Sequence, residues 1–401
     1  MLTRSGWLLL VAAVATLVAA RVFAVAELFM LGATMAVLPV LAVTWVRRRP
    51  PRLRVERSAR PRRVHLGDTS RVELRATNVA ERRSPVLTLH DPVEGTVGAR
   101  LALAPLPPGA VQETGYRLPT NRRGVVHIGP LRTEVSDPFG LARRWFPVSG
   151  QASLTVLPAV EVLAGMPSGA GRDDPLAGPI RRSVGAGSDD FATLRPYVIG
   201  DDLRRVHWPS TARTGDLLIR QDDERWQGHV TLVLDSRRDR NDAEGFEVTV
   251  SATASLVHAI GRAGDRVRLL GTDGTDSGLV DGRTRGDVLL ERLAVATLHD
   301  GGAFPVVPND GRAMTGTLIH LTGRAVAADL SALLAARTTF ATVMVVTVDG
   351  TEAPRRRTRR ERPEPAEPAM PPGLEAVPVL RDQPFAPAWQ AALGRLAART
   401  R

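Results

Sequence analysis

Two adjacent carboxylates and a nearby histidine are the residues of this chain whose types and spacing could do acid–base chemistry. Asp201 and Asp202 stand side by side, and His207 follows shortly after them. Such a set can move protons on a bound substrate if its members converge in one pocket. Aspartates that follow Gly200 at a turn also accept the free N–H groups at the start of a helix. We favour helix capping, with ion pairs to the neighbouring Arg204, and a hydrogen-bonded structural role for the histidine.

The same residues lie in a stretch, residues 191–226, that concentrates charge and large rings. It holds six arginines and six carboxylates, together with Tyr197, Trp208 and Trp226, in a chain with only 4% aromatic residues. Opposed charges around large rings indicate a partly buried junction in which Tyr197 and Trp208 anchor the core. If exposed, the same patch would be a protein-binding hot spot, because Trp, Tyr and Arg dominate such surfaces. Gly215 is predicted to end the helical segment after Trp208.

Composition excludes several kinds of chemistry. The chain has no cysteine, which excludes disulfides, thiolate catalysis and Cys-ligated metal sites. Its 53 basic residues are all arginine, which removes Walker-type and Schiff-base lysines. The eight histidines form no HExxH motif, and no Gly-x-Ser-x-Gly elbow is present. The net charge of +11 could attract nucleic acid or anionic lipid. We favour lipid, because much of the positive charge adjoins an apolar N-terminal segment.

Two apolar runs open the chain. Trp7–Ala20 and Leu28–Val46 are separated by a short polar interruption around Arg21–Glu27. The second run is long enough to span a bilayer by itself, and the first is long enough once Val22–Ala26 is added. The pattern predicts a transmembrane helical hairpin over residues 1–49.

The flanking charges orient this hairpin. Arg4 stands at one end and Arg47, Arg48 and Arg49 at the other, so both ends are predicted on the cytoplasmic side. The alternative is a signal peptide cleaved near Ala24. The hairpin is favoured because a second full apolar span follows at once. The sequence therefore predicts a multi-pass cell-membrane protein whose soluble domains are cytoplasmic.

Residues 50–160 alternate between apolar and polar positions in short segments divided by Gly, Pro, Asn and Asp. This pattern predicts an antiparallel β-sandwich of about seven strands. The predicted strands are Leu53–Arg57, Val72–Ala76, Val86–Leu89, Val111–Leu118, Val125–Ile128, Leu131–Val135 and Leu154–Leu157. Arg122–Gly124 and Asp137–Gly140 are predicted turns. We expect Phe139 to be packed; the alternative is a surface for a partner.

The rest of the chain divides into three parts. Residues 161–228 are a Gly- and Pro-rich linker followed by the charged stretch. Residues 229–350 alternate buried strands with amphipathic helices, which predicts an α/β domain with a parallel sheet. Residues 351–401 are an Arg- and Pro-rich linker, then a strand at Val377–Leu380 and a helix at Ala388–Ala398 that are expected to dock back.

About a dozen positions of the charged stretch resemble a known family signature. The matching residues are Phe191, Leu194, Arg195, Tyr197, Gly200, Asp201, Asp202, Arg204, Trp208, Ala212, Arg213 and Gly215. They look like the bacterial domain-of-unknown-function family 58, with Pro209 standing where the family has a polar or basic residue. The resemblance extends upstream through Arg122–Gly124 and Asp137–Leu141 and downstream into the α/β region. It implies an architecture but no reaction.

The resemblance also implies that the α/β domain is von Willebrand factor A-like, with a Rossmann-type fold. In such domains a carboxylate, hydroxyls and a second Asp hold Mg²⁺ or Ca²⁺. Here Asp235, Ser236 and Thr322 are present, but Arg237 and Asp239 stand at the hydroxyl positions and a glycine replaces the second Asp. We predict a degenerate site without metal, in which Asp235 is ion-paired with an arginine.

We therefore predict a membrane-anchored, non-enzymatic adaptor or assembly protein without cofactor. The resemblance implies a MoxR-type AAA+ ATPase as its partner in maturing protein complexes at the cell envelope, and no nucleic acid. The family signature would be partner-binding or structural. The alternative is a metal-dependent or hydrolytic enzyme that uses the region of Asp201, Asp202, His207 and Asp235. Nucleic-acid binding through the arginine excess is the weakest hypothesis.

Overall fold

The computed structural model describes residues 2–48, 50–167, 193–197, 206–221, 229–308, 316–349 and 370–399. The chain divides into two compact units, Met1–Ala159 and Val160–Arg401. Each unit is described by itself below. The finer five-part division expected from the sequence stays a prediction.

Two long apolar helices open the first unit as a hairpin. Helix α1 covers Arg4–Phe23 and α2 covers Ala26–Arg48. The turn between them is shorter than predicted, because Ala24 adopts a left-handed conformation with φ of 54° that reverses the chain. The helices approach closely at Gly32, where an added Cβ would lie 2.8 Å from Cγ of Leu17. Both helices are long and apolar enough to cross a membrane.

Ten strands follow among the described residues of this unit. They are β1 Leu53–Arg60, β2 Arg63–His65, β3 Ser70–Asn78, β4 Leu87–Asp91, β5 Ala99–Leu103, β6 Val111–Leu118, β7 Gly124–Ile128, β8 Leu131–Ser136, β9 Arg143–Ser149 and β10 Ala152–Leu157. The seven predicted strands are confirmed within a few residues. The sequence missed β2, β5 and β9: β2 is only three residues long, and β9 contains Pro147 and two leading arginines.

The ten strands form three sheets, ordered β1-β3-β6, β2-β10-β7 and β5-β4-β8-β9. Pairing is antiparallel except between β2 and β10, which are parallel, so the prediction of purely antiparallel pairing is wrong at this one edge. Alternate side chains of the strands point into a shared core, as period-two patterning requires. Large fully buried members of this core include Leu74, Leu87, Leu89, Leu103, Ile128, Leu131 and Leu154.

The described residues of the second unit form a two-stranded sheet and a six-stranded one. The small sheet pairs β11 Thr193–Pro196 with β12 Leu218–Gln221, and α3 Trp208–Thr214 precedes β12. The large sheet and its helices are β13 His229–Leu234, α4 Ala243–Ala263, β14 Arg266–Gly271, β15 Val280–Asp281, α5 Gly282–Val295, β16 Thr317–Thr322, α6 Ala327–Ala336, β17 Thr342–Asp349, β18 Glu375–Leu380 and α7 Phe385–Arg399.

The large sheet has the order β15-β14-β13-β16-β17-β18, and only the β14–β15 pair is antiparallel. This confirms the predicted α/β architecture with a parallel sheet. The chain leaves β13 towards one edge of the sheet and leaves β16 towards the other. The carboxyl ends of β13 and β16 therefore meet at a topological switch point, where open α/β sheets form crevices.

The C-terminal segment docks onto this sheet, as predicted. Strand β18 extends the sheet in parallel beside β17. The Trp389 ring of α7 is fully buried, and its Nε1 donates to the carbonyl of Gly165 at 2.9 Å. Glu161 accepts the first N–H groups of α7, and Glu375 accepts from Arg395 at 2.7 Å. The helix is thus fastened at both ends.

Candidate functional site

The side chains with chemical potential gather at the switch point of the large sheet. Asp235 directly follows β13, and Thr322 ends the neighbouring β16. The two strands pair in parallel up to Leu234 and Leu321, so the residues after them meet at one edge. Both side chains are buried.

Asp235 is fully buried and its two carboxylate oxygens are bonded. Arg237 donates from Nε to Oδ1 at 2.8 Å and from Nη2 to Oδ2 at 2.7 Å, which is a bidentate pair. Thr322 donates its hydroxyl to Oδ2 at 2.9 Å. Burial alone would raise the pKa of Asp235, but hydrogen bonding to Arg237 and the positive charge nearby hold that pKa below its ordinary value.

Arg237 is itself buried and also bonds a second carboxylate. Its Nη2 lies 2.6 Å from Oδ2 of Asp329, which stands in the first turn of α6, and its Nη1 lies 3.3 Å from Oδ1. The hydrogen bonds that Arg237 donates to Asp235, followed by those it donates to Asp329, raise the pKa of Arg237 above its usual range, although burial opposes them. We call this group of three residues the arginine clamp.

Hydroxyl and amide groups complete the surroundings of the clamp. The hydroxyl of Thr272 accepts the backbone N–H of Ser236 at 2.9 Å and lies 3.2 Å from the hydroxyl of Ser236. Asn241 donates to the carbonyls of Asp235 and Arg237 at 3.0 and 3.2 Å, and accepts the N–H of Gly323 at 2.7 Å. The loops after β13 and β16 are therefore bonded to each other.

A metal ion does not fit this arrangement. Asp235, Asp329 and the buried His320 each offer a ligand atom within 4.8 Å of the others, which by spacing alone could hold a cation. The guanidinium of Arg237, however, already bonds both carboxylates, and a second cation would be repelled at this distance. Burial lowers the pKa of His320, and its ring packs edge-on against Phe304 with centroids 5.1 Å apart.

The sequence predicted part of this site. Asp235, Ser236 and Thr322 do come together, and the predicted ion pair of Asp235 with an arginine is confirmed. Asp329 was missed, because it lies beyond the position where the resemblance puts a second Asp. Its place in the first turn of a helix after a buried strand was the signal that could have indicated it.

The family signature is described only in part. Gly200, Asp201, Asp202 and Arg204 lie outside the described residues, so their predicted capping role stays a prediction. Arg195 stands in β11 opposite Ile219 of β12. Four further signature residues lie within the described part of the chain: Tyr197, Trp208, Arg213 and Gly215.

Helix α3 follows the predicted local chemistry. His207 is its N-cap, with Nδ1 2.8 Å from the hydroxyl of Ser210, so the hydrogen-bonded role predicted for this histidine is confirmed. Gly215 ends the helix in the left-handed conformation with φ of 81°, as predicted. Arg213 is exposed in the last turn. Tyr197 is half-buried, and its N–H donates to the carbonyl of Leu217 at 2.8 Å.

The side chain of Trp208 is exposed and not buried as expected. Its side chain is 65% exposed at the start of α3, so the interpretation of this ring as a core anchor is wrong. Local burial in this segment instead comes from Val206 and Ile219, which pair across a β-bridge. Trp208 and Arg213 are both exposed on α3, and Trp and Arg are residue types found at protein-binding hot spots; we call these two exposed side chains the aromatic–arginine surface.

A family comparison agrees with the signature. Residues 193–309 match the family model described as protein of unknown function DUF58. The match begins at β11 and includes α3 and the loop that carries Asp235 and Arg237. It confirms the resemblance that the sequence indicated in this stretch.

Individual relatives add little about function. The uncharacterized protein YeaD of Bacillus subtilis (strain 168) is 25% identical over 195 residues, which are 48% of this chain and 47% of that protein. This chain thus matches about half the length of that relative. A CARDB domain from Pyrococcus furiosus, solved in complex with di-metal ions, aligns with 26% of this chain and 91% of its own, at 17% identity and a TM-score of 0.21.

A second solved structure is similarly distant. The alkylpurine DNA glycosylase AlkC of Pseudomonas fluorescens, bound to DNA containing an abasic-site analogue, aligns with 33% of this chain and 39% of its own. Its identity is 12% and its TM-score 0.20. Scores this low support no inference about fold or function.

Proposed function

We propose, from the DUF58 region at residues 193–309, that this chain is a membrane-anchored, non-enzymatic adaptor or assembly protein. In this proposal α1 and α2 are a transmembrane hairpin, the strand-rich region is a β-sandwich beneath the membrane, and the α/β domain is a degenerate von Willebrand factor A-like module. A MoxR-type AAA+ ATPase is the partner, and the process is the maturation of protein complexes at the cell envelope.

One observation carries this proposal above all. The arginine clamp puts a tethered cation, the guanidinium of Arg237, between the two carboxylates at the switch point of the sheet. The clamp satisfies the groups that a catalytic or metal-binding role would need free. A module with such a site is suited to offering surfaces and not to chemistry.

The hairpin supports the anchoring part of the proposal. Its large apolar side chains point outwards along both helices, as a lipid-facing hairpin requires. Exposed examples are Leu8, Val11, Val14, Val18, Val22, Phe29, Met30, Val37 and Leu41. A continuous apolar surface of this kind needs a partner, and the length of the helices matches a bilayer.

The surface proposed for the partner is the aromatic–arginine surface of α3. Exposed Trp and Arg side chains are typical anchors of protein interfaces. Because the side chains of Trp208 and Arg213 are solvent-exposed, replacing either should leave the fold intact. A loss of binding in these variants would therefore report on the surface itself.

The test is affinity capture of the detergent-solubilised full chain from its native membrane, with and without ATP and Mg²⁺. We expect a MoxR-type AAA+ ATPase in the capture, and a loss of at least tenfold in Trp208→Ala and Arg213→Ala. Arg285→Ala, another exposed helical arginine of the same unit, is the matched control and should capture normally. An ATPase absent in every nucleotide state, or held equally by all variants, would refute the proposal.

A further inference from the structure

The loop between β8 and β9 displays a phenylalanine to solvent. Phe139 is 73% exposed, so the expectation that this residue is packed is wrong. A large exposed ring at a loop tip needs a physical reason, since burying it is favourable wherever an apolar neighbour is available.

The loop is built to hold this ring outwards. The buried Asp137 accepts the N–H of Phe139 at 2.9 Å and the N–H of Ala142 at 2.5 Å. Gly140 closes the turn with φ of 70°, and its N–H donates to the carbonyl of Asp137 at 3.0 Å. Several hydrogen bonds thus fix the backbone on both sides of the exposed ring.

The same loop is fastened to the open end of the helical hairpin. The N–H of Thr3 donates to the carbonyl of Leu141 at 2.9 Å, and its hydroxyl donates to the carbonyl of Gly140 at 2.6 Å. Gly6 lies so close that an added Cβ would collide with the carbonyl oxygen of Leu141. Leu141 and Ala142 also share a small core with Val46 near the end of α2.

These contacts place the loop that carries Phe139 at the open end of the hairpin. Thr3 caps α1, and Trp7 lies one helical turn further along, about 6 Å towards the apolar centre. Trp7 is 58% exposed, and the exposed Arg4, Arg47 and Arg48 surround the same end of the hairpin. Aromatic rings and arginines at this position are typical of the membrane–water interface.

We propose that Phe139 inserts into the interfacial layer of the lipid bilayer and fixes the first unit against the membrane surface. The occupant of this exposed site is lipid, because the loop is hydrogen-bonded to the end of the apolar hairpin and its apolar ring is exposed there, near the exposed Trp7 and the arginines of the same end. The inference rests on the proposed transmembrane hairpin. It adds a third membrane contact, formed by a loop distant from the helices in sequence.

The chain has no cysteine, so single labels can be placed without background. Phe139→Cys, Val97→Cys and Val14→Cys are each labelled with an environment-sensitive fluorophore in the full chain and reconstituted into vesicles containing quencher-bearing lipids. Val97 is a matched control, because it is 97% exposed and follows β4 at the end of the sheet opposite the loop, as the Leu87–Val135 register shows. Val14 lies in α1 and reports on the hairpin.

We expect lipid quenching at position 139 to exceed that at position 97 at least fivefold, and quenching at position 14 to be stronger still. A label at 139 that stays as water-exposed as at 97, while 14 is quenched, overturns the inference and leaves the hairpin standing. Lipid quenching absent at position 14 as well would overturn the hairpin and the inference with it. Shielding of position 139 in native membranes but not in pure lipid would identify a protein occupant and likewise overturn it.

Discussion

The guanidinium of Arg237 forms a bidentate pair with the carboxylate of Asp235, with Nε and Nη2 at 2.8 and 2.7 Å from its two oxygens. Only one residue separates them in the chain, directly after the central strand of the parallel sheet. The same guanidinium bonds Asp329, so one tethered cation forms ion pairs with two buried carboxylates. Removing the guanidinium would leave buried carboxylates without a partner, which lowers the free energy of unfolding.

Arg237→Met is expected to lower the free energy of unfolding of the second unit by about 3–5 kcal/mol, because Asp235 then loses its buried partner. Thermal or denaturant unfolding of the full chain in detergent measures this change. Arg238→Met is the matched control: its pair with Asp300 is exposed, with side chains 59% and 88% accessible, and should change stability by less than about 1 kcal/mol. Equal effects of the two substitutions would contradict the role assigned to the clamp.

The acid dependence of this unit should reverse its sign in the same variant. In the native chain the pKa of Asp235 is lowered, so its stabilisation is complete above the ordinary aspartate pKa of about 3.9 and is lost as the pH falls below it. In Arg237→Met the buried carboxyl loses its cation, its folded pKa rises above the ordinary value, and protonation then favours the folded state. The stability gap between the variant and the native chain should therefore shrink as the pH falls from about 7 to about 5. A gap independent of pH across this range would argue against burial of an unpaired Asp235.

Divalent cations provide a second test of the clamp. The native chain is expected to show no Mg²⁺-dependent rise in melting temperature, because the guanidinium of Arg237 already bonds both carboxylates and repels a second cation. Arg237→Ser removes this cation and introduces a hydroxyl, so millimolar Mg²⁺ should stabilise the variant by about 1–3 kcal/mol through linked binding. Arg238→Ser is the control and should not respond. A Mg²⁺-dependent shift in the native chain would revive the metal-dependent alternative.

The first unit contains a second buried ion pair, and its arginine can be compared with an exposed arginine of the same β1-β3-β6 sheet. Arg57 bonds Asp91 at 2.8 Å with side chains 3% and 0% exposed, and the hydroxyl of Tyr116 donates to the same carboxylate at 2.7 Å. Burial, with this hydrogen bond, raises the pKa of Tyr116. Arg57→Met should cost about 3–5 kcal/mol in unfolding free energy.

The control for this substitution is Arg75→Met. Arg75 bonds Glu113 at 3.0 Å across β3 and β6, but both side chains are mostly exposed. Such pairs contribute about 0–1 kcal/mol, because water screens them. The prediction is contradicted if the two arginines, at similar distances from their carboxylates, prove equally important.

Local patterns predicted most of the elements of this fold. The apolar runs gave the two helices, period-two alternation gave seven of the strands in the first unit, and strand–helix alternation gave the parallel sheet. The short β2 and the proline-containing β9 were missed, because their pairing comes from neighbouring strands and not from their own pattern. Propensity is a weak guide where tertiary context supplies the hydrogen bonds.

For the candidate site, the sequence by itself determined that Asp235 would be ion-paired with an arginine, since Arg237 stands where a hydroxyl is needed. The tertiary structure decided the rest. Asp329 joined the clamp because β13 and β16 are neighbours in the sheet, so residues far apart in the chain meet at their carboxyl ends. Trp208 and Phe139 proved to be exposed for a related reason: whether an aromatic ring is buried depends on which elements fold over it, and that is fixed by long-range packing and not by its neighbours in sequence.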